Sequence, residues 1–150
     1  MSIIKWNDEL NIGVKLIDDQ HKQLIHLINE LHVAVQYGKP GEAIMPIIAR
    51  LHDYANSHFA EEERLFAELE YGGVAEHRQE HLDFLARIGA LSKQFSYSKD
   101  FLAIHIKDLL LNWFCNHIRS KDMEYRQLMA QPGGYRDRPA GSPAWTGKTP

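Results

Sequence analysis

Four long runs of apolar residues at three- and four-residue steps, separated only by short glycine-, proline- and serine-bearing breaks, leave this chain few folds to choose from. Over about residues 19–37, Leu24, Leu27, Ile28, Leu31 and Val35 make one helical face, and Gly38-Lys39-Pro40-Gly41 stops it, with Asp18 or Asp19 placed to cap its start. Over about 42–69, Ile47, Leu51, Tyr54, Ala55, Leu65 and Phe66 make a second. Pro46 fits the first turn of that helix, where a missing N–H costs least, so its regular part is expected to begin there. Residues 74–95 and 99–129 supply the third and fourth faces, through Phe84, Leu85, Ile88 and Leu91, then Leu102, Ile106, Leu109, Leu110 and Trp113. Short connections reach only neighbouring helix ends, so the expected fold is all-α: an antiparallel, up-down-up-down four-helix bundle over residues 1–130. The first seventeen residues read as a non-helical segment that packs on the bundle through Trp6, Ile12, Val14, Leu16 and Ile17. Residues 131–150, dense in Pro and Gly and without an apolar period, read as a flexible tail in which Tyr135 and Trp145 are the only sticky points.

The four faces are not purely apolar. His21 lies on the first, His58 and Glu62 on the second, His77 and His81 on the third, and His117, followed by Asp122, on the fourth. Residues four apart lie nearly above one another on a helix, so His58 with Glu62, and His77 with His81, can each aim at one point in the core. Burying five imidazoles and two carboxylates with no cation would cost on the order of several kcal/mol. A metal centre follows, and imidazole with carboxylate suits iron, zinc, copper or manganese. His117 and Asp122 are five apart, a turn of about 140° on a regular helix. If both face one centre, the fourth helix must unwind, carry a π-type bulge or end near Ser120. His26, His32, His52 and His105 have no matching carboxylate and read as surface or outer positions.

Composition narrows the rest. One domain of 150 residues with a formal net charge of -3 offers no broad basic surface for nucleic acid or anionic lipid. No stretch approaches the roughly 20 apolar residues of a membrane span, and no leader-like segment opens the chain, so a soluble cytoplasmic protein is expected. Cys115 is the only cysteine, which favours a reducing compartment and reads as a small apolar residue half-buried on a helix. His77-Arg78-Gln79-Glu80-His81 also fits an inverted zinc-protease pattern, but Glu80 is expected to point away from the bundle core. No Glu-x-x-His occurs, which sets the chain apart from carboxylate-rich di-iron bundles.

Taken in order, Asp19-Gln20-His21, His58-Phe59-Ala60-Glu61-Glu62, His77-x-x-x-His81 and His117-Ile118-Arg119-Ser120-Lys121-Asp122 closely resemble the hemerythrin family, in particular the single-domain bacteriohemerythrins. The resemblance covers about the first 130 residues and leaves out the tail. It implies two non-haem irons, one held by His77, His81 and His117 and the other by His21 and His58, bridged by Glu62, Asp122 and an oxo or hydroxo group. With about six ligands to each iron, those groups leave one position open, on the iron with two histidines. Dioxygen binds there reversibly, for transport, storage or delivery, and the protein is expected not to be an enzyme. Leu24, Phe59, Trp113 and Ile118 are the candidates for a dry lining of that position. The partners to expect are dioxygen and an unidentified oxygen-accepting protein. Two other functions share the same centre: an enzyme acting on peroxide or nitric oxide, and an iron- or oxygen-sensing module.

Overall fold

A computed structural model describes residues 2–95 and 99–129, without the side chains of residues 95–102; the expected tail, 131–150, lies outside the described residues. It is an all-α bundle of four helices: α1 (Lys15–Gln36), α2 (Gly41–Leu69), α3 (Val74–Phe95) and α4 (Lys99–Trp113). The fourth continues through a π-helical stretch, Phe114–Lys121, into α5 (Asp122–Met129). Going round the bundle, α1 packs on α2, α2 on α3, α3 on α4 and α4 back on α1. No helix among the described residues is long and apolar enough to cross a membrane.

Helix α1 begins four residues before the expected start. Val14 is its N-cap, and neither Asp18 nor Asp19 caps it. The buried Asp18 carboxylate instead turns back to accept Ile12 N–H at 2.6 Å and Gly13 N–H at 3.1 Å, which closes the loop ahead of the helix. Gly13 has φ +100°, a conformation that a side chain would oppose. Ahead of it, a 3-10 turn (Asp8–Leu10) and the preceding residues lie along the bundle. The Asn29 side chain accepts from Ile3 and Ile4 N–H and donates to the Ile4 carbonyl, while Trp6 packs half-buried on the main core. Leu16 departs from expectation and is exposed, because it falls on the outer side of the first turn of α1.

Helix α2 also starts early, at Gly41, so Pro46 sits in its second turn. Its ring is on the exposed side, where interrupting the helical ladder costs less than in the core. Cys115, expected to be half-buried, is exposed on the π-helical stretch, whose altered pitch turns it outward between the buried Phe114 and His117.

The interior is layered. One apolar cluster gathers Leu24, Leu27, Ile28, Leu51, Phe59, Phe84, Ile88, Ile106 and their neighbours, and a second gathers Ile12, Ile17, Leu65, Phe66, Leu69, Tyr125 and Met129. In sequence the five histidines, Glu62 and Asp122 fall between these sets on every helix: His21 between Ile17 and Leu24, Glu62 between Phe59 and Leu65, Asp122 between Ile118 and Tyr125. A polar layer therefore crosses the bundle where the two cores meet.

One contact pins that layer from outside. Tyr71, in the α2–α3 turn, donates its hydroxyl to Glu124 at 2.9 Å, and Lys121 reaches both Glu76 at 3.1 Å and Glu124 at 3.4 Å. A Cβ on Gly73 would collide with the end of the Tyr71 ring. Gly73→Ala is therefore expected to expel the ring, break the bond to Glu124 and cost about 1 kcal/mol, since one partner is exposed. A fall of about 2–4 °C in thermal midpoint would register it.

Candidate metal centre

Each helix delivers its residues through its own periodicity. His21 projects from α1, His58 and Glu62 from successive turns of α2, His77 and His81 from successive turns of α3, and all are essentially inaccessible to solvent. His117 lies within the π-helical stretch and Asp122 immediately after it. Its wider turn, with i to i-5 bonding such as Asp122 N–H to the His117 carbonyl, brings residues five apart onto one face. The awkward spacing is resolved by the π-type irregularity, and Asp122 is fully buried beside His117.

The seven side chains fall into two groups. Glu62, His77, His81 and His117 form one, and His21, His58, Glu62 and Asp122 the other, each with its ligand-type atoms within 4.8 Å of one another. Glu62 belongs to both. Its Oε2 is 3.1 Å from His81 Nε2, 3.5 Å from His58 Nε2 and 3.7 Å from His77 Nε2. Asp122 splits its two oxygens: Oδ1 is 3.0 Å from both His77 Nε2 and His117 Nε2, and Oδ2 is 3.2 Å from His21 Nε2. Each carboxylate thus touches both groups.

Among the described residues these inward atoms have no hydrogen-bond partner: the Nε2 atoms of all five histidines, Glu62 Oε2 and both oxygens of Asp122. Buried polar groups are rarely left so in a native fold, and a converging set of them is the signature of a missing cation. The donor set fits a hard-to-borderline metal such as iron: nitrogen and carboxylate oxygen, with no thiolate.

The outward nitrogens are held where it matters. His117 Nδ1 donates to Glu80 Oε2 at 2.5 Å, His58 Nδ1 to Gln20 Oε1 at 2.8 Å, and His81 Nδ1 to Glu63 Oε1 at 3.3 Å. A proton fixed on Nδ1 leaves the Nε2 lone pair facing the centre, which is the form that ligates metal. Glu80 is thus a correction to the sequence reading. It does not point away but turns across to α4, because residue 80 lies beside His81 at the edge of the α3–α4 seam. It touches an outer nitrogen rather than the interior, so it gives no support to the protease pattern. Glu80→Ala is expected to weaken metal binding by about 10- to 100-fold while leaving the helices intact, as competition with a chelator of known affinity would measure.

Electrostatics prepare the layer for cations. Burial alone would push the Asp122 carboxyl up, but the charge and hydrogen bonds of His117, with those of His21 and His77, hold it well below the usual carboxylate range. For Glu62, burial and the charge of Asp122 push upward and His58, His81 and His77 outweigh them, so it too lies below its ordinary value. Burial draws His58 down to about 4, against the pull of Glu62, which keeps it neutral. Tyr125 donates its hydroxyl to Glu62 Oε1 and so fixes the far oxygen of the shared carboxylate.

Aromatic rings roof the layer. Phe59 lies flat on His81, with centroids 3.9 Å and planes 5° apart, and half-buried Trp113 lies on His117 at 3.9 Å and 15°. Leu24 and Ile118 are fully buried in the apolar cluster that adjoins the layer. Tyr54 stacks on His58 at 5.3 Å and 13°. Gln20, Glu63, Glu80, Tyr54 and Tyr125 all escaped the sequence reading as parts of the site. The one available signal was that Tyr54 and Tyr125 carry hydroxyls on otherwise apolar faces. His26 and His52 are exposed, His105 is exposed on α4, and His32 is half-buried on α1; none joins either group.

Residues 12–128 match the sequence profile of the hemerythrin HHE cation-binding domain. The chain belongs to the hemerythrin family. Among curated hemerythrins, a bacteriohemerythrin of Stenotrophomonas maltophilia is 34% identical over 99% of this chain and 96% of its own length. One from Pseudomonas aeruginosa is 39% identical over 83% of this chain and 80% of its own. The solved structure of a leucine-to-tyrosine mutant of a hemerythrin superposes with a TM-score of 0.72 at 27% identity, over 85% of this chain and 97% of that one.

Proposed function

We propose that this chain binds dioxygen reversibly at a pair of non-haem irons, His77, His81 and His117 holding one, His21 and His58 the other, with Glu62 and Asp122 shared. The observation that carries this reading is the division of seven buried side chains into two groups joined by the same two carboxylates. When bound, the irons supply the electrons that dioxygen takes up on binding and returns on release. The rest falls to the chain. Three histidines on one side and two on the other leave room for a small guest beside His21 and His58. Leu24, Phe59, Ile118 and Trp113 keep water from that space, which favours release of the guest intact over its reduction. Gln20, Glu63 and Glu80 hold the imidazoles in their ligating form. A site so fully furnished with histidines supports binding rather than turnover, and the dioxygen it releases would pass to an oxygen-accepting protein.

Freshly purified protein should contain two irons per chain. Mixing the reduced, oxygen-free protein with dioxygen in a stopped-flow cell should give a visible-absorbing adduct that disappears when oxygen is removed and returns on its readmission. Irreversible oxidation in a single pass would overturn the reading. Sustained consumption of peroxide or nitric oxide would replace it with an enzyme at the same centre.

A further inference from the structure

The two halves of the polar layer are roofed differently. In the three-histidine half, His81 lies under Phe59 and His117 under Trp113. In the two-histidine half, the ring lying parallel to His58 is Tyr54, one helical turn earlier on α2, and it brings a hydroxyl with it. Tyr54 is only 6% exposed, its ring is packed into the apolar cluster with Leu24, Leu27, Ile28 and Phe59, and among the described residues its Oη has no hydrogen-bond partner. Burial, then the charges of Glu62 and Asp122, keep that phenol protonated. It is a donor without an acceptor.

A phenol enclosed in this way either wastes its O–H or serves something absent from the chain itself. Two further observations favour the second. The ring also forms part of a cleft of about 290 Å³ between α1 and α2, with Gln20, Gln23, Leu27, Arg50 and Ser57, so it stands between the surface and His58. Gln20, on the same cleft, is the group that orients His58. The polar wall of the centre is therefore on the side where the histidines are fewer and a guest has room.

Resting on the di-iron reading above, we infer that Tyr54 Oη donates a hydrogen bond to the small ligand bound beside His21 and His58, and so sets its affinity and residence time. The ligand class is a diatomic or triatomic species with a terminal lone pair, neutral or anionic. Tyr54 is a positioning residue for that guest. It makes no bond to metal and transfers no proton.

Tyr54→Phe, compared with the unaltered chain, tests this with azide as the probe. In the oxidised, iron-loaded proteins, with two irons confirmed in each, the substitution should weaken azide binding about tenfold and speed its dissociation. It should also abolish the shift that D2O causes in the infrared stretch of bound azide. In the metal-free proteins the substitution should leave the thermal midpoint unchanged or raise it, because the hydroxyl has no partner to lose. Equal azide affinity with iron retained in both proteins overturns the inference. So does a lower midpoint for metal-free Tyr54→Phe with unchanged azide binding, which would show a purely structural bond. If the unaltered chain fails to hold two irons or to bind azide, the di-iron reading fails first and takes this inference with it.

Discussion

Asp122→Ala is expected to yield a folded helical protein that retains fewer than two irons per chain and forms no reversible oxygen adduct. Asp122 alone presents separate oxygens to the two groups, Oδ1 at 3.0 Å from His77 and His117 and Oδ2 at 3.2 Å from His21. Truncation removes a shared anion and leaves Glu62 as the only carboxylate against two dications. Loss of an outer partner of a metal ligand typically costs about 10- to 100-fold in affinity, and loss of a shared direct ligand should cost more than about 100-fold. Iron per chain after passage over a chelating resin, with helical content followed by circular dichroism, measures both halves of the expectation. Two irons retained would show that Asp122 is not shared.

Removal of the metal by chelation should lower the thermal midpoint by about 10 °C or more. The polar layer spans all four helices, and without cations its five Nε2 atoms and three carboxylate oxygens are buried with no hydrogen-bond partner among the described residues. A ligand present at a thousandfold its dissociation constant stabilises the native state by about 4 kcal/mol, and at this chain length each kcal/mol moves the midpoint by about 2–4 °C. Calorimetry before chelation, after it, and after anaerobic addition of ferrous iron checks the effect and its reversal. An unchanged midpoint would mean that the layer is satisfied by protein groups alone.

Hydrophobic spacing sufficed to place the four helices, because each buries one continuous stripe and the breaks between them are short. The seven inward residues were readable for the same reason: a histidine or carboxylate on a buried stripe has nowhere else to point. The five-residue step from His117 to Asp122 even announced the irregular turn. What spacing does not encode is which side chain meets which across helices. Gln20 meets His58, Glu80 meets His117 and Tyr125 meets Glu62 over separations of 38, 37 and 63 residues. The missed start of α1 has a local cause. An aspartate at a helix start usually caps its own helix, but Asp18 spends both oxygens on the loop behind it, at Ile12 and Gly13.

The π-helical stretch has a consequence for how this architecture can change. Deleting one residue from 114–121 would let the chain relax to an ordinary α-helix with no loss of hydrophobic character, yet everything after the cut would swing by about 100°. Asp122, Tyr125 and Met129, all buried now, would leave the interior together. The oxygen-binding layer is thus guarded by the length of a short segment as much as by the identity of its residues, and drift by insertion or deletion there would be far more damaging than drift by replacement.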